Sequence, residues 1–377
     1  MSARPAVAIA HDYLTQRGGA ERVVLALLRA YPDATVHTLL YDPDATFPEF
    51  RDARVVTSPL NRVGLLRSHH RIAMPLLAGA ASRLRVDADV TVVSTSGWAH
   101  GFELTGRSVV YCHNPARWLY QRDDYLGERR RGLPALAVGA LGPALRRWDR
   151  AAMLRHDRYL ANSSVVRDRM RSVYGLDAQV VFPPPAVVAA VGGQQPVGPF
   201  GPSGADGGFH LLVSRLLPYK NVDQAVAAFR ELPPERLLVI GRGPEEERLR
   251  RDLPSNVAIV SDVSDDELRW AYAHCVALVA PSREDLGLTP LEAGAFGKPT
   301  LALRYGGYLD TVSDRVNGLF FEQPESSAIA DAVRRGRRTT WEAAAIHRHG
   351  EQFDEAHFRA ALGAAVDAVG SGVSRGR

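Results

Sequence analysis

Ser282-Arg283-Glu284-Asp285-Leu286-Gly287-Leu288-Thr289-Pro290-Leu291-Glu292-Ala293-Gly294-Ala295-Phe296-Gly297-Lys298-Pro299 follows the apolar run Cys275 to Ala280. The run reads as a strand, Gly287 as a turn, and Thr289, Pro290 and Glu292 as the first turn of a helix. A helix start presents unpaired backbone N–H groups and a partial positive charge, which suits phosphate. Glu284 and Glu292 flank that position. Ionised carboxylates accept hydrogen bonds from hydroxyls, so they suit a ribose and a sugar rather than the phosphate itself. Thr289 to Glu292 also fits a capping box, in which Glu292 reaches back to the N-cap backbone; the stretch alone leaves both readings open.

Outward from it, apolar runs and helical patterns alternate along the whole chain. Strands are expected near 6–11, 35–40, 54–57, 90–95, 108–113, 157–161 and 179–182, with helices at 20–31, 65–85, 134–153 and 164–174. The pattern then restarts. Strands near 209–214, 236–240, 256–260, 275–280, 299–303 and 318–321 alternate with helices near 221–231, 244–252, 264–273, 288–297 and 325–345. Such alternation predicts an α/β chain of two doubly wound, Rossmann-like domains with parallel sheets covered on both faces. The expected boundaries are 1–182 and 209–350, joined by a proline- and glycine-rich linker at 183–208. Residues 351–377 hold a last helix, about 355–369, able to dock on either domain, and then a frayed tail. Domains of this kind are expected to face a cleft, with ligands at the carboxyl ends of the strands.

Composition sets the broad class. The chain has 377 residues, 46% of them hydrophobic, enough for more than one core. Cys112 and Cys275 sit in separate apolar runs, so buried free thiols in a reducing compartment are expected, not a disulfide framework. The N-terminal apolar run is interrupted at His11 and Asp12, too early for a signal peptide, and no segment reaches membrane-spanning length without charge; a cytoplasmic protein is expected. Residues 1–182 carry 25 Lys+Arg against 17 Asp+Glu, whereas residues 183–377 carry 21 against 25. The basic clusters of the first half, Arg129-Arg130-Arg131, Arg146-Arg147 with Arg150, and Arg62 with Arg67, His69, His70 and Arg71, read either as solvated helix faces or as contacts to an anionic membrane at the inner face. No aromatic-basic RNA signature or helix-turn-helix accompanies them, which argues against a nucleic-acid partner. Of the 46 basic residues only Lys220 and Lys298 are lysines, and the two cations are not interchangeable at a phosphate site.

The loops after the strands hold the candidate chemistry. Gly18 and Gly19, after the first strand, allow close backbone approach to a ligand, although this is no GxGxxG fingerprint and a plain tight turn explains them equally. His113 ends a strand and is followed by Arg117, Trp118 and Tyr120, a set suited to a sugar acceptor; a lone histidine is otherwise structural. Arg215 and Lys220 lie at the start of a helix, where cations are disfavoured unless an anion is present, so a diphosphate between them is expected. Asp42-Pro43-Asp44 is a proline turn and Asp87-Ala88-Asp89 precedes its strand, so no catalytic metal is expected.

Four of these motifs, Arg17-Gly18-Gly19-Ala20-Glu21, His113-Asn114-Pro115, Arg215 with Lys220, and Glu284 spaced to Glu292, resemble in kind and order those of the retaining glycosyltransferases of family 4. The resemblance covers nearly the whole chain and implies the two-Rossmann-domain type B fold. It implies that Arg215 and Lys220, with the backbone around Gly287, Leu288 and Thr289, bind the donor diphosphate. Glu292 would then hold the ribose, Glu284 the transferred sugar, and His113 would lie near the anomeric carbon, with Gly18 and Gly19 against a phosphate. It further implies no cofactor beyond a nucleotide diphosphate sugar as co-substrate, and a glycan or lipid-linked saccharide as acceptor. Asp285-Leu286-Gly287 departs from the family's more usual Gly-Phe-Gly. His11-Asp12-Tyr13-Leu14 and Leu217-Pro218-Tyr219-Lys220-Asn221 look similar to an O-antigen mannosyltransferase-like subgroup, which implies GDP-mannose as donor. Other outcomes of the same fold are a sugar epimerase or a phosphorylase, and of a different class, a basic nucleic-acid-binding module.

Overall fold

Runs with no polar face, such as Leu237-Leu238-Val239-Ile240, lie at the centre of two parallel sheets whose faces are both covered by helices, the setting in which strand alternation disappears. The computed structural model describes residues 5–68, 70–121, 133–187, 192–201 and 207–371. Two compact units emerge, Met1–Pro184 with Glu355–Arg377, and Pro185–Asp354.

The first unit contains β1 (Val7–His11), β2 (Val36–Thr38), β3 (Val55–Thr57), β4 (Arg85–Val86), β5 (Val90–Thr95), β6 (Glu103–Leu104), β7 (Arg107–Cys112), β8 (Arg158–Ala161) and β9 (Gln179–Val180). Seven of them form a parallel sheet in the order β3-β2-β1-β5-β7-β8-β9, while β4 and β6 pair separately. Ile9 sits opposite Val36 on one side and Val92 on the other. One sheet face packs Trp98, Phe102, Trp118 and Met170; the other packs Ile9, Leu27, Tyr111 and the helix Glu355–Gly370. That helix inserts Phe358, Leu362, Ala365 and Val366, with the Phe358 ring 5.7 Å from Tyr111. Burial of Phe358 and Leu362 alone contributes roughly 3–6 kcal/mol.

The second unit contains β10 (His210–Val213), β11 (Leu237–Ile240), β12 (Val257–Val260), β13 (Leu278–Ala280), β14 (Thr300–Leu303) and β15 (Gly318–Phe321), all parallel in the order β12-β11-β10-β13-β14-β15. Phe209, Leu211, Leu238, Phe229, Ile329 and Val333 share its core.

Several expectations need correction. Parts of the expected linker 183–208 pack on the second unit: Val187 and Val197 are buried in its core, and Gly193 O accepts from Arg269 Nε at 3.0 Å. Cys275 caps the helix Asp265–His274, so strand pairing begins only at Leu278. The expected helix 325–345 is two helices, Ser326–Arg338 and Ala343–Glu351. Trp341 Nε1 folds back onto Gly336 O at 3.1 Å and closes the first of them. The helix expected over 65–85 is described over Gly64–Ser68 and His70–Ala81 and ends at Ala81; residue 69 and Arg129 to Arg131 lie outside the described residues. Both cysteines are free and buried, and burial pushes the Cys275 thiol up to about 12. Among the described residues no helix is long and apolar enough to cross a membrane.

Each sheet has a point where strand order reverses: between β1 and β5 in the first unit, and between β10 and β13 in the second. Loops leaving adjacent strands on opposite sides splay apart at such a point and leave a crevice at the carboxyl ends.

Candidate functional site

In the second unit the loops after β10, β13 and β14 meet at this reversal. Pro218–Lys220 forms a single 3-10 turn, ended by Asn221 in the left-handed region at φ 54°. Asn221 Nδ2 donates to Pro281 O at 2.9 Å, and Ser282 Oγ donates to Lys220 O at 3.3 Å, so the two loops are stitched together. Across this seam Lys220 Nζ forms an ion pair with Glu284 Oε1 and lies 4.9 Å from the centre of the Tyr219 ring. The ammonium side chain is 8% exposed and the carboxylate 29%. Arg215 is exposed and donates to Tyr219 Oη at 3.4 Å.

The helix Leu288–Ala295 begins two residues earlier than a capping box from Thr289 to Glu292 requires. Its N-cap is Gly287, which supplies no side-chain cap and stands at φ 75°. A Cβ there would lie 2.6 Å from Tyr308 Cδ1, so only glycine fits both the backbone and the space. Thr289 is therefore the second helical residue, and its hydroxyl, with that of Ser282, hydrogen-bonds the buried Tyr308. Glu292 is buried and accepts from Tyr272 Oη at 2.6 Å. Burial, with Glu292 alongside, pushes the Tyr272 hydroxyl far above its ordinary range and keeps it a donor. The capping-box reading is thus replaced by a tie between two helices. Gly307 N donates to Glu284 O at 2.9 Å, which adds the loop after β14 to the site; the Gly306-Gly307 pair after an apolar run was the overlooked signal. Lys298 is not part of this cluster: its N–H closes the end of the same helix on Ala293 O at 3.0 Å.

The first unit carries its own cluster at the β1/β5 reversal. Gly18 caps the helix Gly19–Ala30, and a Cβ on it would lie 2.5 Å from Glu21 Oε2. Glu21 is buried, its Oε1 accepts from Gln16 Nε2 at 3.1 Å, and desolvation raises its pKa. Asp12 was not singled out in the sequence as a site residue, yet it organises the loop after β5. Its Oδ2 accepts from Ser96 N at 2.6 Å, and its Oδ1 from Thr95 Oγ1 at 3.1 Å, Trp98 N at 3.1 Å and Ala99 N at 2.6 Å. His113 leaves β7 beside this loop. Ser94 Oγ lies 2.8 Å from His113 Nε2 and 3.0 Å from His11 Nδ1. Burial, then the neighbouring His11, pushes the His113 pKa down to about 3, so its ring is neutral at physiological pH.

Of the residues expected on an acceptor side, Arg117 is half-buried at the start of a four-residue helix. Trp118 is buried, stacked on Trp98 with ring centres 4.6 Å apart, and Tyr120 donates to the fully buried Asp149 at 2.7 Å. Trp118 thus packs within the first unit, whereas Tyr120 is half-buried. The acidic pairs have local partners, Asp44 with Arg51, Asp87 with Thr105 and Asp89 with Ala6 N.

Residues 17–188 match the family model described as Glycosyltransferase Family 4, and residues 203–337 the one described as Glycosyl transferases group 1. The first unit is thus similar to the first of these glycosyltransferase families and the second unit to the other. Curated proteins similar to this chain include glycogen synthase from Pseudomonas fluorescens, 32% identical over 144 residues, which are 36% of this chain and 28% of the relative. Glycogen synthase from Pseudomonas aeruginosa is 35% identical over the same shares. The chain thus spans less than a third of the length of these relatives. Among solved structures, HepE from Anabaena in complex with UDP-glucose aligns with a TM-score of 0.67 at 17% identity, covering 96% of this chain and 100% of that one. Sucrose-phosphate synthase from Thermosynechococcus elongatus aligns with a TM-score of 0.65 at 17% identity, over 97% and 100%. At these identities the structures show the shared GT-B fold of two Rossmann-like domains.

Proposed function

We propose that this chain moves a hexose from a nucleotide diphosphate sugar to a hydroxyl of a glycan or lipid-linked saccharide, with retention at the anomeric carbon and without a metal. The observation that carries the proposal is the nearly buried Lys220 paired with Glu284 beside a helix N-terminus capped only by a glycine. A cation held there in reserve, next to backbone N–H groups, suits an incoming diphosphate. On binding, the diphosphate takes over Lys220 and releases Glu284 to accept from sugar hydroxyls. The bond from the anomeric carbon to the diphosphate oxygen breaks with its electron pair, the acceptor oxygen bonds to the same face, and its proton passes to the leaving diphosphate. Arg215 and Lys220 stabilise the charge that grows on that leaving group. Glu292 divides its role between its helix tie and a ribose; in the first unit His113 serves the transferred sugar or the acceptor, and Gly18 and Gly19 a phosphate of the donor or acceptor.

The HepE complex with UDP-glucose and the glycogen synthase relatives support a glucosyl donor over the GDP-mannose expected from the loop sequences. A panel of UDP-, GDP- and dTDP-sugars with product analysis tests both points. We expect one new glycosidic bond, unaffected by chelator and abolished in Glu284→Ala and Lys220→Ala. Full activity in both variants, or an epimer or sugar phosphate as product, refutes the proposal.

A further inference from the structure

The hydroxyl of Ser94 stands between two imidazoles, and its single proton can go to only one of them. His11 Nδ1 lies 3.0 Å from Ser94 Oγ and also 3.1 Å from Ser94 O. A carbonyl oxygen only accepts, so His11 Nδ1 carries a proton and shares it between the two oxygens. The opposite arrangement would set the lone pair of His11 Nδ1 against the lone pairs of the carbonyl. Ser94 Oγ is thereby an acceptor toward His11, and its own proton is directed to His113 Nε2 at 2.8 Å. His113 Nε2 accepts, and in a neutral imidazole the remaining proton must then be on Nδ1.

We propose that Ser94, itself oriented by His11, is a positioning residue that fixes His113 as the Nδ1–H tautomer, so that His113 donates a hydrogen bond to a ligand oxygen and does not take its proton. The proposal builds on the sugar-side role given to His113 above. Three features support it. Ser94 is fully buried and His11 almost so, which shields the chain of contacts from water. His11 and His113 meet edge to face with ring centres 6.4 Å apart, and Tyr111 closes on His113 at 5.3 Å, so ring flips are hindered. Asp12 clamps the loop that follows Ser94 through three backbone N–H groups, which holds the serine end of the chain in place. The reaction proposed above needs no base from the protein, and a neutral donor with its second nitrogen already engaged is consistent with that.

The test uses the full chain labelled with 15N-histidine, read by two-bond 1H–15N spectra at pH 7 without substrate. The His113 signals are assigned by their loss in His113→Asn. Wild type is expected to show Nδ1 protonated and Nε2 bare. Ser94→Ala should move His113 to the other tautomer or a mixture. His11→Asn, which keeps an N–H where Nδ1–H was, should leave it unchanged, and His11→Leu should release it. A protonated Nε2 in wild type, or an unchanged tautomer in both Ser94→Ala and His11→Leu, overturns the proposal. In a transfer assay, His113→Asn retains a donor at the Nδ1 position and His113→Gln at the Nε2 position. We expect kcat/KM at least tenfold higher for the Asn variant, and equal or reversed values refute the donor role. Should no sugar donor be turned over at all, the transfer reading fails while the spectra still decide the tautomer.

Discussion

Removing Glu284 and removing Lys220 break the same ion pair with unequal consequences, because the two ends differ in exposure. Glu284→Ala leaves an ammonium that is 8% exposed with no anion; Lys220→Met leaves a carboxylate that is 29% exposed and able to hydrate. Stranding a buried charge costs about 3–5 kcal/mol, and the Tyr219 face under Lys220 offsets part of it, so roughly 3 kcal/mol is expected for Glu284→Ala. Lys220→Met should cost about 1 kcal/mol, near the range of exposed pairs. For a unit of this size 1 kcal/mol corresponds to about 2–4 °C, so Glu284→Ala should melt roughly 6–12 °C below wild type and Lys220→Met only a few degrees below. The deficit should also be conditional. A nucleoside diphosphate supplies the missing anion without first displacing a carboxylate, and at a hundredfold excess over Kd a ligand returns about 2.7 kcal/mol. Differential scanning calorimetry with and without UDP or GDP reads both effects. If Lys220→Met melts lower than Glu284→Ala, or the diphosphate raises the alanine variant no more than wild type, the reserve-cation reasoning is wrong.

Two further outcomes follow from particular positions. Gly287→Ala and Gly175→Ala both place a side chain at positive φ, 75° and 74°, but only the first meets a neighbour, Tyr308 Cδ1 at 2.6 Å, whereas nothing lies within 4 Å of the second. Gly175→Ala should cost about 1–2 kcal/mol and Gly287→Ala a further 1–3 kcal/mol by urea unfolding, and equal costs would remove the packing argument. Acid should destabilise both units, because burial lowers His156 to about 4 and His210 to about 3. The unfolded chain binds these protons near pH 6.5 and the native one does not, so stability is full above that pH and falls toward pH 4 by roughly 1.4 kcal/mol per pH unit for each group. His210→Gln should flatten the acid limb of the second unit; an unchanged slope in chemical denaturation across pH 4–7 contradicts the assignment.

The sheets were legible because a strand covered on both faces is apolar along most of its length, as in Leu237–Ile240 and Thr300–Leu303. The pair β4 and β6, two residues each, is too short to leave a pattern. The break at Trp341 depends on an indole reaching back five residues, which periodicity does not register. Residue types at strand ends pointed to loops that meet at the strand-order reversals, while their partners stayed hidden. Lys220 and Glu284 are 64 positions apart, Tyr272 and Glu292 are 20 apart, and Asp12 finds its N–H donors 84 to 87 residues later. Such pairings belong to the topology, and no local signal announces them. Trp118 and Tyr120 also have partners that no local pattern shows, Trp98 and Asp149.

The helix Glu355–Gly370 belongs to the first unit although residues 185–354 separate it from the rest of that unit in sequence. In covalent terms the second unit is an insertion within the first. During synthesis β1 to β9 emerge with the sheet face around Ile9, Val92 and Tyr111 covered only in part, by Val23, Val24 and Leu27 of the helix Gly19–Ala30, and the portion under Phe358, Leu362, Ala365 and Val366 stays open until the whole second unit has been made. The first unit to leave the ribosome is thus the last to be completed, and the intervening sequence is able to fold while its predecessor still exposes an apolar face.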